Sequence, residues 1–262
     1  MLAFLSHSFL WQIGIAEFCA LSFLIIMSFT STYYAKKYLK HKFVYGIFYG
    51  SSMFFSGIIG FSVLYLLLLI SNTLDEIPTT AVPLINPMGN LLFLFSLIFD
   101  HSNLNTNNWF WINLVYLFLI HLLAIVFSCL FWSFLRRKLK LSNDFKHVDI
   151  LRKKEFLVGL FLIFIFTLAT YIINRFVSAS GLWLTGLARI SLNGVATISL
   201  LLSARYLFKE FNFPTNIYVS LASFIMSLVH KKTRFIENLV FMLHTVLAFV
   251  SSSFFVSLLT FI

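Results

Sequence analysis

The chain has 262 residues, 60% of them apolar; Phe alone supplies 34, and only 11% are charged. Soluble globular domains carry about 25% charged residues. With a mean hydropathy of +0.94, this composition excludes a soluble enzyme, a disordered protein and a nucleic-acid-binding domain. The formal charge of +10 follows a membrane pattern, because Lys and Arg stand in short stretches between apolar segments.

The first apolar run extends from Phe9 to Tyr34 and ends at Lys36-Lys37. It has no basic stretch ahead of it and is too long for a signal-peptide core, so it predicts a first membrane helix. After the basic Lys36–Lys42 stretch, the second run covers Val44 to Ile70, followed by Asp75-Glu76 and a Pro-containing loop. A shorter run, Pro87 to Phe99, stops at Asp100-His101. The polar stretch from Ser102 to Asn108 leads into the third long run, Phe110 to Phe134. A basic connection from Arg136 to Lys154 holds eight Lys or Arg. The fourth run is Phe156 to Ile173 and the fifth Leu184 to Phe208. A second short run, Ile217 to Val229, ends at His230-Lys231-Lys232, and the last run is Phe235 to Ile262.

Each short run would be roughly 20 Å long as a helix, less than the ~30 Å hydrocarbon core. Such segments re-enter or lie at the interface rather than cross. The order is long, long, short, long, then the same again. This predicts an all-α integral membrane domain spanning 1–262: six transmembrane helices and two re-entrant half-helices. They form two repeats, residues 9–134 and 155–262, joined by a basic linker at 135–154. Three crossings per repeat make the repeats inverted in the membrane. If both short runs re-enter, the three most basic connections fall on one side, in keeping with the positive-inside tendency.

Both short runs have an Asn at their start. The first opens Ile85-Asn86-Pro87-Met88-Gly89-Asn90-Leu91; the second follows Phe213-Pro214-Thr215-Asn216. Asn is a strong N-cap, and Pro suits the first helical position because it lacks the N–H that would go unpaired there. A half-helix N-terminus in the membrane presents N–H groups and partial positive charge, which orient polar solutes and disfavour cations. On its own, each site reads as a turn with a helix cap; the paired placement in two repeats brings the functional reading level with it.

The order of elements resembles the aquaporin and glycerol-facilitator family, the major intrinsic proteins, over residues 10–258. Asn86-Pro87-Met88-Gly89-Asn90-Leu91 is similar to the family's first Asn-Pro-Ala motif. Asn216-Ile217-Tyr218-Val219-Ser220-Leu221 resembles a degenerate second one. Ala16-Glu17-Phe18 matches an Ala-Glu-Phe of the first family helix, and Ile120-His121-Leu122-Leu123 falls where the third has Ala-Gln-Leu-Leu. The chain departs from the pattern at Met88, Ile217 and Tyr218, at Gly159 where the second repeat has Glu, and at His244-Thr245 where the last helix has Gly-Pro. Val219 replaces the filter Arg, and Phe213 matches the aromatic of a glycerol-type filter.

The resemblance implies a passive channel for small neutral solutes, glycerol or water, with no cofactor, no metal and no catalytic residue. Asn86 and Asn216 would donate hydrogen bonds to the solute, Phe213 would wall the constriction and Val219 would widen it. Glu17, His121 and Pro87 would support the half-helices. Glu17 also reads as a helix-end carboxylate or a proton-coupling group, since an intramembrane carboxylate is costly. His121 and His244 read as packing or helix-to-helix contacts that could face each other. Arg189 and Arg205 read as snorkelling to the interfaces, Asn113 and Asn193 as interhelical hydrogen-bonders. Trp109, Trp111, Trp132, Tyr33 and Tyr34 read as interface anchors. Cys19 and Cys129 read as small membrane-core residues.

The implied partners are membrane lipid, the solute and a second set of copies in a homotetramer, with no nucleic acid. The richness in Phe, Ile, Asn and Lys suggests an AT-rich bacterial genome and so the plasma membrane. The family keeps its termini in the cytoplasm, whereas counting positive charges places them outside. The alternative function is a non-conducting scaffold or the substrate-binding subunit of an importer, motivated by the bulky motif substitutions and the missing Arg.

Overall fold

The structure is a computed structural model that describes residues 11–38, 42–71, 73, 91, 95, 108–139, 153–177, 182–207, 216–229 and 235–261. Among these residues it is all-helical. The helices are α1 (Trp11–Tyr38), α2 (Lys42–Ile70), α3 (Asn108–Lys138), α4 (Lys153–Phe176), α5 (Leu182–Leu207), α6 (Ile217–Val229) and α7 (Phe235–Phe261). All but α6 are long and apolar enough to cross a membrane, so the chain has the build of a multi-pass membrane protein.

The long helices run past the apolar segments into charged residues: α1 through Lys36-Lys37, α3 through Arg136–Lys138, and α4 from Lys153. Their 24 to 31 residues correspond to about 36–46 Å, the membrane with its headgroup layers rather than the hydrocarbon alone. Hydroxyls inside the helices donate locally where no water is available. Ser28, Ser31, Ser128, Thr167, Thr197 and Thr245 each donate to a carbonyl four residues earlier, which satisfies a buried O–H without a partner helix.

Contacts fix the directions of the helices. Between α1 and α3 the pairs Trp11–Tyr116, Glu17–His121, Ser22–Ser128 and Phe29–Trp132 advance together, so the two helices are parallel. α2 returns against α1: Gln12 Nε2 donates to Ser71 Oγ at 3.3 Å, just beyond the end of α2. α2 and α5 are antiparallel, with Gly46 against Leu202, Gly50 against Ile198, Phe54 against Gly194, Gly57 against Ile190 and Phe61 against Gly186. This seam joins the first half of the chain to the second. It depends on glycine: a Cβ on Gly186 would lie 2.5 Å from the Phe61 ring, and one on Gly50 would meet Ile198, including its Cα at 3.1 Å. Bare backbone lets the helices approach closely.

α4 runs against α5, since Asn193 donates to Asn174 at 3.3 Å and Arg189 Nε donates to the Val177 carbonyl at 3.0 Å. Asn193 thus makes the interhelical bond expected of it. Arg189 does not snorkel. It is 4% exposed and sits on the C-terminal end of α4, where unmet carbonyls and the negative end of the dipole favour a cation. The connection of residues 178–181 is short enough to keep the start of α5 beside that end. Arg189→Leu is expected to cost about 1–2 kcal/mol, read as a lower unfolding midpoint in detergent. Trp132 is also no interface anchor: it is 3% exposed and packs on Phe29 at 5.8 Å, because its position on α3 faces α1. Trp109 and Trp111 do stay exposed.

The bundle has two unlike ends. One holds the C-termini of α1, α3, α5 and α6 and the N-termini of α2 and α4. The five residues 230–234 put the start of α7 there too. Among the described residues, nine of the eleven Lys and Arg stand in helix turns at this basic end, all but Arg175 and Arg189. At the opposite end α2 stops and α3 starts, so residues 71–107 leave and return on the same side. Of these, Leu91 and Phe95 are helical. Leu91 packs on the Ile163, Phe166, Ala248 and Phe249 cluster of α4 and α7, and the Phe95 ring lies 5.5 Å from Phe254.

Candidate functional site

The site is built where α6 begins. Asn216 precedes the helix, 1% exposed, and its Oδ1 accepts from the backbone N–H of Tyr218 at 2.8 Å and of Val219 at 3.4 Å. These are N–H groups of the first turn that have no partner within the helix, so Asn216 is an N-cap. With its oxygen engaged, the carboxamide can reach further only through the two donors on Nδ2. Asn216→Ala is expected to cost about 1 kcal/mol. Asn216→Asp, which keeps the capping oxygen, should retain most of that stability in the same thermal unfolding measurement.

From there α6 runs parallel to α3. Tyr218, Ala222 and Met226, spaced four apart on one face, meet His121, Cys129 and Ser133. His121 is near the middle of the α3 span Trp109–Lys138, and Ser133 is near its basic end. The 13-residue α6 therefore occupies half the depth of the bundle, with its N-terminus at mid-depth. A second contact ties it to α7, where Ser220 Oγ is 3.3 Å from Thr245 Oγ1.

At mid-depth three helices converge on polar side chains. Glu17 of α1 is 0% exposed and His121 of α3 is 2% exposed. His121 Nε2 is 3.3 Å from Glu17 Oε2, and His121 Nδ1 is 2.8 Å from the Tyr218 hydroxyl. Three proton arrangements are self-consistent. In the ion pair, an imidazolium donates from Nε2 to ionised Glu17 and from Nδ1 to the Tyr218 oxygen. With Glu17 ionised, neutral His121 donates from Nε2 and accepts the Tyr218 O–H at Nδ1. With Glu17 protonated, every donor reverses and Nδ1 donates to Tyr218. In each of them the Glu17–His121–Tyr218 contacts are paired, and Tyr218 also packs against the apolar cluster that includes Leu21, Leu24, Ile25, Ala124 and Ile125.

Of the residues singled out from sequence, the structure brings together Glu17, His121 and the start of α6 at Asn216. Val219 packs, half-buried, against the apolar cluster of α1 and α3. Asn86, Pro87 and Phe213 lie outside the described residues. Gly159 is buried on α4. His244 is buried on α7, while His121 faces Glu17 and Tyr218. Tyr218 was overlooked as a site residue because it stood out only as a replacement for a small side chain. The usable signal was a phenol two residues after an N-cap, with an intramembrane His unaccounted for elsewhere. Cys129 donates weakly to the Ala222 carbonyl at 3.6 Å and Cys19 is a half-buried free thiol. Among the described residues no three His, Cys, Asp or Glu side chains gather as metal ligands would. No protein-family model matches the chain, and no curated protein or solved structure matches it either.

Proposed function

We propose that the chain is a passive membrane channel for small neutral solutes, glycerol or water, built as a divergent relative of the aquaporins and glycerol facilitators. The observation that carries this reading is the placement of α6. Its capped N-terminus lies at mid-depth beside His121, and its C-terminus lies at the basic end. Residues 208–234 thus start and finish at one end of the bundle, as a re-entrant segment does. Residues 71–107 start and finish at the other end, and Leu91 and Phe95 pack on α4 and α7 as α6 packs on α1 and α3. Both halves share one contact scheme: the first helix touches the second and third, α1 with α2 and α3, α4 with α5 and α7. This is the relation expected of two inverted repeats.

In this reading the Asn216 carboxamide and the positive end of the α6 dipole orient a hydroxyl-bearing solute at mid-depth. Val219 lines the path, and Asn86 and Phe213, outside the described residues, keep the roles that the resemblance implies. Glu17, His121 and Tyr218 hold the half-helix in place. The homotetramer and the bacterial plasma membrane are part of the proposal, carried by the resemblance and the composition.

The test is osmotic swelling of proteoliposomes in glycerol and in water, with swelling faster than in empty liposomes as the expected result. A scaffold that does not conduct is favoured by one observation, the packing of Tyr218 and Val219 into the α1–α3 cluster; it predicts no added permeability. A proton-coupled carrier working through Glu17 and His121 predicts uptake that follows a pH gradient, which a passive channel ignores.

A further inference from the structure

We infer that the basic end of α3 binds the headgroup of an anionic phospholipid, with the lipid phosphate on Arg136 and an ester carbonyl on Trp132. The observation is a pair of buried donors without acceptors. Arg136 Nη1 and Trp132 Nε1 are both buried and have no hydrogen-bond partner among the described residues. The two residues are 9% and 3% exposed and stand four apart on α3, on one face of the helix. Buried donors are almost always paired, and an unpaired one costs the full desolvation of the group. A guanidinium adds a charge to that cost. Its neighbour Arg137 is of like charge, and the ion pair among the described residues is the one between Glu17 and His121. Among the described residues Arg136 has no anion.

The depth of the two donors selects the anion. Arg136 is in the last turn of α3, at the end where Lys and Arg accumulate. Trp132 lies four residues, about 6 Å, further along the axis toward the hydrocarbon. A phospholipid presents the same order: phosphate outermost, ester carbonyl below, acyl chain beneath. The guanidinium fork matches two phosphate oxygens, and the indole N–H suits a single carbonyl. Free phosphate supplies only the upper contact. Phe29 of α1, against the Trp132 ring at 5.8 Å, places the site at the end of the α1–α3 seam, where an acyl chain can continue along the exposed apolar face of α3 at Phe131 and Phe134. Electrostatic attraction to an anionic leaflet brings the lipid to this end.

The experiment uses the full chain in detergent, with lipid retention read by native mass spectrometry and stability by the unfolding midpoint. The probes are phosphatidylglycerol, phosphatidylcholine and inorganic phosphate. Wild-type protein should retain phosphatidylglycerol over phosphatidylcholine and gain stability from it. Arg136→Gln should weaken retention about tenfold, and Trp132→Phe about threefold, the loss of charge-assisted and single neutral hydrogen bonds respectively. Arg137→Gln should leave it within about twofold, as an exposed charge does. Arg136→Lys, which keeps the charge and loses the fork, should fall between, and it carries the test with Trp132→Phe if Arg136→Gln does not fold. Equal protection by inorganic phosphate would assign the site to a free anion and overturn the lipid. Equal losses at Arg136 and Arg137 would mean a diffuse basic surface and overturn it as well, as would a wild type indifferent to lipid charge.

Discussion

Replacing Glu17 with Ala should lower stability by about 3 kcal/mol, the largest effect expected of any side chain in the buried polar group. Breaking a buried charge pair costs roughly 3–5 kcal/mol because the remaining partner stays buried. The lower figure is chosen because polar contacts between membrane helices average less than this. His121 would lose its Nε2 partner while 2% exposed, and the strain would pass through Nδ1 to Tyr218 and the start of α6. Glu17→Gln keeps the shape and one acceptor oxygen, so it should cost nearer 1 kcal/mol. A double-mutant cycle between Glu17→Ala and His121→Ala, read by unfolding in detergent, should show strong coupling. Additive costs would mean that the pair does not support α6.

The second large effect is expected at the seam between the two halves. Gly50→Ala places a Cβ against Ile198, with the Ile198 Cα at 3.1 Å. A side chain can rotate away from such a contact, but a backbone atom moves only with its helix. Overpacking of this kind costs about 1–3 kcal/mol, and Gly50→Leu should exceed it and part α2 from α5. Removing the Ile198 side chain as well, in Gly50→Ala with Ile198→Ala, should recover part of the loss. Cross-linking between cysteines at Gly46 and Leu202, which face each other across the seam, reports the separation directly. If the second substitution adds its own cost without any rescue, the close approach at Gly50 is not what sustains the seam.

Much of the helical layout could be read from the chain. Six apolar runs became six helices long enough to cross a membrane, because an all-apolar run in lipid has no way to satisfy its backbone other than helix. The short second run kept its bounds, Ile217 to Val229, since Asn216 caps one end and charged residues follow the other. The ends of the long helices were harder to place. Lys36-Lys37 and Arg136–Lys138 ended the apolar signal but not the helix, since Lys and Arg are good helix formers.

Pair contacts were the least legible. Run-end position marked Trp132 as an anchor, and only the parallel docking of α1 on α3 shows that it is buried. Arg189 was read from its nearness to a helix end, while its partner, the Val177 carbonyl, belongs to another helix. Glu17 and His121 could be recognised one by one as intramembrane polar residues. That they meet, and that Tyr218 completes the group, depends on a contact across more than a hundred residues of sequence.

The central claim is that solute passes the N-terminus of α6. The most direct measurement is osmotic swelling of proteoliposomes carrying Val219→Cys, before and after a small thiol reagent. Wild-type protein serves as control, since Cys129 is buried and Cys19 half-buried. The channel reading predicts glycerol or water flux above that of empty liposomes in both proteins, arrested by the reagent in Val219→Cys alone. Flux that the reagent leaves untouched, or no flux in either protein, would contradict it.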